Sequence, residues 1–218
     1  MLKAINVTKS YGSLQVLKGV SLEVQQGQIV SIVGASGAGK STLLHILGTL
    51  DLADGGELYL NRQAVHTHQK PNQLARFRNQ HVGFIFQFHN LLPEFSALEN
   101  VAIPGFIAGN RSDKEVKAEA EALLQRLGLA KRIHHKPGQL SGGEQQRVAV
   151  ARALINKPSI VFADEPSGNL DSASADSLHS LFFQLREETN QTFVIVTHNN
   201  ELADMADQKY VMEDGVIL

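Results

Sequence analysis

The spacing of apolar positions changes character twice along this chain. In the first 33 residues apolar and polar positions alternate, as in Leu22 and Val24 against Glu23 and Gln25; Gly27 then marks a turn, and Ile29 to Val33 form a buried-type run. Alternation marks a half-buried strand, and a short unbroken apolar run marks a fully buried one. Residues 1–33 are therefore expected to be short strands joined by turns. Lys40 to Leu47 reads as a helix, Leu58 to Leu60 as another strand, and Val82 to Phe86 as a further buried strand.

From about residue 88 to 158 the pattern is helical. Ser112 and Glu115 have the spacing of a capping box, in which serine and glutamate side chains satisfy the first amides of a helix. Behind them Val116, Ala120, Leu123, Leu124 and Leu127 make one apolar face, and Gly128 ends it. Residues 144–152 read as another helix. Two β-type runs follow, Ile160 to Ala163 and Phe193 to Thr197, with a helix over 174–188 between them and a hairpin around Glu213-Asp214-Gly215. Near-continuous apolar strands alternating with helices predict an α/β fold whose largely parallel sheet is covered on both faces. There is no internal repeat or low-complexity segment.

Composition narrows the classes. The 218 residues suffice for one large domain or two small ones. A net charge of −2 gives no global reason to expect nucleic acid, since a generic phosphate-backbone binder should be basic. With no cysteine, disulfides and thiolate metal sites are excluded, which fits a reducing compartment. The first residues alternate like a strand and lack the apolar stretch of a signal peptide. No apolar run approaches the ~18 residues of a membrane helix. If this chain works at a membrane, another chain is expected to supply the span.

Chemistry concentrates in a few stretches. Gly34-Ala35-Ser36-Gly37-Ala38-Gly39-Lys40-Ser41 fits G-x4-G-K-S/T between a strand and a helix, the context a P-loop requires. The glycines let backbone amides wrap phosphates, Lys40 should reach the β- and γ-phosphates, and the Ser41 hydroxyl should sit on Mg²⁺. Asp164 and Glu165 end a buried strand, where ligands gather in an open parallel sheet. Asp164 is placed for the Mg²⁺ shell and Glu165 to orient or deprotonate an attacking water. Without the P-loop such acids would read rather as helix caps; with it, the catalytic reading is favoured. His198 and Gln87 each follow an apolar strand; by itself His198 reads as a loop or helix-start residue, and Gln87 alone carries no meaning. His66, His68, His134 and His135 lack a convincing metal partner set and read as solvated loop positions.

Gln139 to Arg147, QLSGGEQQR, raises a separate question. Ser141 and Glu144 satisfy S-x-x-E, so an ordinary capping box is one reading. Gly142 and Gly143 point the other way, because each weakens a helix by roughly 1 kcal/mol relative to alanine, whereas close approach of backbone to an anion needs them. The residues suggest a second phosphate-facing surface, without saying whether both surfaces meet one nucleotide.

In this order the motifs resemble those of the ATP-binding cassette ATPases, over essentially the whole chain. Gly34 to Ser41 matches Walker A, Gln87 the Q-loop, Leu140 to Gln145 the signature, Ile160 to Glu165 Walker B, Ser167 to Asp171 the D-loop and His198 the switch histidine. The resemblance implies a P-loop NTPase (RecA-like) core with a mostly parallel sheet, an N-terminal antiparallel β part and an inserted helical lobe. It implies one nucleotide-binding domain over 1–218, with 1–87 and 159–218 as core and about 88–158 as lobe.

It further implies ATP and Mg²⁺ as ligands, with Tyr11 stacking on adenine. Gly34, Ser36, Gly37, Ala38, Gly39, Lys40, Ser41 and Thr42 would hold the phosphates, and Ser41, Gln87 and Asp164 the metal. Glu165, His198 and Gln87 would be catalytic. Two copies would pair head to tail on binding ATP, so that Ser141, Gly142, Gly143 and Glu144 meet the partner's nucleotide. Phe86 to Val101 and Ala163 to Ser172 look like the lipoprotein-releasing and macrolide-exporter-like group, although the cell-division cassette, which would regulate a membrane partner, and several peptide or haem exporters are similar there. Ser96, Ser167 and Ala38 depart mildly from the usual residues. The implied partners are separately encoded integral-membrane subunits, not nucleic acid, with the chain peripheral at the cytoplasmic face of a bacterial inner membrane. Phe88, Leu91, Leu92 and Phe95 are candidates for a groove that takes a cytoplasmic helix of that partner. A soluble repair or translation ATPase would instead resemble a cassette split by a coiled coil or a tandem pair; a small-molecule P-loop kinase is disfavoured by the signature and the Asp164-Glu165 pair.

Overall fold

A computed structural model describes residues 1–65 and 70–218; His66 and His68 lie outside the described residues. The chain divides into two compact units, Met1–Ala75 with Phe183–Leu218, and Arg76–Phe182.

The first unit holds two β systems. Strands β1 (Leu2–Tyr11), β2 (Leu14–Val24), β4 (Gly55–Leu60) and β5 (Gln63–Ala64) form an antiparallel sheet in the order β2-β1-β4-β5. The predicted alternation is visible in it, with Leu22 and Val24 buried and Glu23 and Gln25 exposed. Strand β3 (Ile29–Val33) runs parallel to both β8 (Thr192–Val196) and β9 (Gln208–Glu213). Strand β10 (Val216–Ile217) turns back on β9 through Asp214-Gly215, the expected hairpin. Every residue of β8 is buried, as an unbroken apolar run flanked on both faces must be. Helix α1 (Lys40–Leu47) is the next element after β3 and buries Leu43, Leu44, Ile46 and Leu47.

In the second unit β6 (Val82–Phe86) and β7 (Ile160–Asp164) pair in parallel, from Val82 opposite Ile160 to Phe86 opposite Asp164. Helices α3 (Ala97–Ala108), α4 (Asp113–Arg126) and α5 (Gly142–Leu154) pack together beside them. The Ser112–Glu115 capping box forms, Val116, Ala120 and Leu124 face inward, and Gly128 takes the left-handed conformation after the helix. Helix α6 (Ser172–Thr189) covers the predicted 174–188.

Two helices carry no clear signal in the sequence pattern. Helix α2 (Pro71–His81) buries only Leu74, so it has no apolar stripe to detect, and α7 (Asn200–Met205) is six residues long. No helix among the described residues is long and apolar enough to cross a membrane.

Candidate active site

The Gly34–Gly39 loop leaves β3 and closes on α1. Gly39 caps the helix with φ +99°, and a Cβ there would stand 3.0 Å from the Met212 methyl and 3.1 Å from a Leu17 methyl. Only glycine meets both demands. No side chain caps α1 at Gly39, and its first turn holds no acid. Such a helix start favours an anion, because its leading amides and dipole both present positive charge. Lys40 folds back across the loop, donating from Nζ to the Gly34 carbonyl at 2.8 Å and the Ala35 carbonyl at 2.9 Å. Ser36 and Ser41 are exposed, Thr42 is half-buried, and Ala38 is buried.

His198 belongs to the same edge. Ile32 is the register partner of Val196, so Gly34 and His198 each lie two residues past that pair at the carboxyl ends of neighbouring parallel strands. Thr197 between them is buried, and His198 is exposed.

Tyr11 ends β1 half exposed. Its phenol donates to Asp51 Oδ2 at 2.6 Å. The bond to Asp51 holds the phenol above its usual pKa, because ionisation would set two negative oxygens side by side. Burial works against the Asp51 charge, but hydrogen bonds from Tyr11 and Lys9 outweigh it and keep the carboxyl below the ordinary range.

In the second unit the Phe86–Asp164 register sets Gln87 and Glu165 one residue beyond the ends of β6 and β7. Glu165 adopts φ +46°, a left-handed conformation that is costly for a side chain with a Cβ and recurs at functional turns. Its carbonyl accepts from Gly168 N at 3.0 Å, which closes the turn into the next segment. Gln87 is clasped by that segment. Its Nε2 donates to Asn169 Oδ1 at 3.2 Å, and Asn169 Nδ2 donates to the Gln87 carbonyl at 3.2 Å. Gln146, wholly buried on α5, donates from Nε2 to the Pro166 carbonyl at 2.7 Å and the Phe86 carbonyl at 3.3 Å. Asn169, within the D-loop match, and Gln146, just past the signature match, thus hold the segments carrying Gln87 and Glu165; the sequence assigns neither residue an individual role.

The signature serine does form a capping box. Ser141 Oγ accepts from Glu144 N at 3.2 Å, and Ser141 N donates to Glu144 Oε2 at 2.8 Å. That cap occupies one lone pair of the hydroxyl. Arg132 Nε donates to Glu144 Oε1 at 2.9 Å, and chiefly for that reason the Glu144 carboxyl titrates below the usual range. Gly143 has a packing reason too: a Cβ there would stand 3.1 Å from Ser174 Oγ. Gly128, Leu129, Ser141, Gly143, Glu144, Arg147 and Ser174 line a cleft of about 280 Å³. Gln87, Asp164 and Glu165 are absent from its wall. Among the described residues, no three of His, Asp and Glu cluster as a metal site; His134 is exposed and His135 half-buried.

A protein-family model described as "ABC transporter" matches residues 17–168. The chain belongs to the ABC transporter family. It is 62% identical over 218 residues to the lipoprotein-releasing system ATP-binding protein LolD of Cytophaga hutchinsonii, covering 100% of this chain and 99% of that protein. Among solved structures, the dimeric ABC transporter cassette MJ0796 superposes with a TM-score of 0.90 at 40% identity, covering 100% of this chain and 96% of that one. The same cassette is known as a dimer in a post-hydrolysis state bound to ADP and Pi, with the same score and identity. This ABC chain is an ATPase, and its α/β architecture is that of the family's cassettes.

Proposed function

We propose that this ABC ATPase powers lipoprotein release, or export of the related macrolide-exporter kind, through a separate integral-membrane subunit at the cytoplasmic face of a bacterial inner membrane. The observation that carries this reading is the end-to-end 62% identity to a lipoprotein-releasing ATP-binding protein. Residues 1–218 act as one nucleotide-binding domain, with 1–87 and 159–218 as core and about 88–158 as helical lobe.

The residue chemistry supports the roles. Gly34, Ser36, Gly37, Ala38, Gly39 and Thr42 cradle the phosphates, and Lys40 exchanges its two loop carbonyls for phosphate oxygens. Ser41, Gln87 and Asp164 offer a hydroxyl, an amide oxygen and a carboxylate, the hard oxygen donors that suit Mg²⁺. When bound, the ion neutralises charge on the β- and γ-phosphates. Glu165 accepts a proton from, or aligns, the attacking water, Gln87 helps place that water, and His198 hydrogen-bonds the γ-phosphate.

Ser141, Gly142, Gly143 and Glu144 serve the nucleotide of a second copy, so ATP joins two chains head to tail and hydrolysis releases them. The composition of the Ser141 cleft, which excludes Gln87, Asp164 and Glu165, supports that division of labour. Phe88, Leu92 and Phe95 are 69%, 43% and 41% exposed and Leu91 is half-buried, an apolar surface suited to a helix of the membrane subunit.

The test is affinity capture of tagged Glu165→Gln protein from solubilised native membranes with ATP and Mg²⁺, followed by mass spectrometry. Recovery of a multi-span protein with a large extracytoplasmic domain is the expected result. A soluble or nucleic-acid-bound partner would overturn transport.

A further inference from the structure

A tyrosine at an exposed strand end is ordinarily free to rotate. Tyr11 is not. The loop after α1 folds against the last residues of β1 and holds three successive positions. Lys9 Nζ donates to Asp51 Oδ1 at 2.9 Å and to the Leu52 carbonyl at 2.7 Å. Ser10 N donates to Asp54 Oδ2 at 2.6 Å. The Tyr11 phenol donates to Asp51 Oδ2 at 2.6 Å. Both carboxylate oxygens of Asp51 are engaged, and Leu52 N closes the turn on Oδ1 at 2.7 Å. The Lys9 ammonium, on a side chain only 11% exposed, also lies 5.2 Å from the centroid of the Tyr11 ring.

We propose that Asp51 is a positioning residue for nucleotide binding: by bridging Lys9 and Tyr11 it fixes the Tyr11 ring as the platform on which the base of the bound nucleotide stacks. This rests on the reading of Tyr11 as the base-stacking aromatic. Lys9 takes one side of the ring and the base takes the other. An aromatic platform fixed before binding costs less entropy to order when the ligand arrives.

The test measures binding, by calorimetry, of ATP and of inorganic tripolyphosphate to the full chain and to Tyr11→Ala, Asp51→Ala and the double variant. Tripolyphosphate has phosphates and no base. Tyr11→Ala and Asp51→Ala should each weaken ATP by about ten-fold, the scale of one base–aromatic stack, and leave tripolyphosphate unchanged. The double variant should bind ATP no more weakly than Tyr11→Ala alone, since Asp51 acts through the ring.

Asp51→Asn keeps the side-chain volume and one accepting oxygen, and should weaken ATP by about three-fold with tripolyphosphate again unchanged; it serves if the alanine variant does not fold. Unchanged ATP affinity in the Asp51 variants, an equal loss for both ligands, or a full second loss in the double variant would each overturn the role of Asp51. Unchanged ATP affinity in Tyr11→Ala would instead remove the base-stacking reading beneath it.

Discussion

Gln146 donates its side-chain amide to the Pro166 carbonyl at 2.7 Å from a fully buried position on α5. The same amide reaches the Phe86 carbonyl at 3.3 Å. One side chain thereby fastens the residue before Gln87 and the residue after Glu165. Gln146→Leu removes the donor from the buried Pro166 carbonyl and from the part-buried Phe86 carbonyl, and an unsatisfied buried polar group costs about 1–3 kcal/mol. Urea unfolding should register a loss of that size. Turnover should fall by a larger factor than ATP affinity, because the displaced segments carry Gln87 and Glu165. An unaltered unfolding midpoint would show that the amide contributes nothing.

Ser141 is both a helix cap and a wall of the 280 Å³ cleft. Ser141→Arg fills that cleft with a long cation while leaving Gly34–Thr42 intact. In a Glu165→Gln background, ATP binding should persist and ATP-driven pairing should be lost, as read by light scattering. Pairing at the level of Glu165→Gln alone would remove the cross-dimer role of the signature.

Three capping boxes make the second unit acid-sensitive. Hydrogen bonds from Ser96 to Glu99 and from Ser112 to Glu115 hold those carboxyls below their usual pKa; for Glu144 the Arg132 hydrogen bond comes first and those with Ser141 follow. A depressed folded-state value means the stabilisation is complete above the unfolded value of about 4.3. It is lost as pH falls through the lower folded value. Stability should therefore decline below about pH 4.3. The combined Glu99→Gln, Glu115→Gln, Glu144→Gln variant should decline less steeply, since glutamine can cap without titrating. Parallel curves of urea midpoint against pH would contradict this.

What could be read from the sequence was local. Ile29–Val33, Ile160–Asp164 and Thr192–Val196 are strands because unbroken apolar runs can be buried on both faces, and the Ser112–Glu115 box announces α4 within four residues. The P-loop is legible for the same reason, as all its parts lie within eight positions. Contacts that orient the site span longer intervals: 40 residues from Tyr11 to Asp51, 20 from Gln146 to Pro166 and 82 from Gln87 to Asn169. No periodicity encodes such pairs. At Ser141 the sequence posed capping and anion binding as rivals, and the structure shows the capping box formed.

The most direct test of the account is phosphate release from ATP by the purified chain and by Glu165→Gln, measured at saturating ATP and Mg²⁺. The account predicts hydrolysis by the wild-type chain and a loss of roughly 10²–10⁴ in the variant, the usual worth of a general base, with ATP still bound. Turnover in Glu165→Gln close to that of the wild type would contradict it.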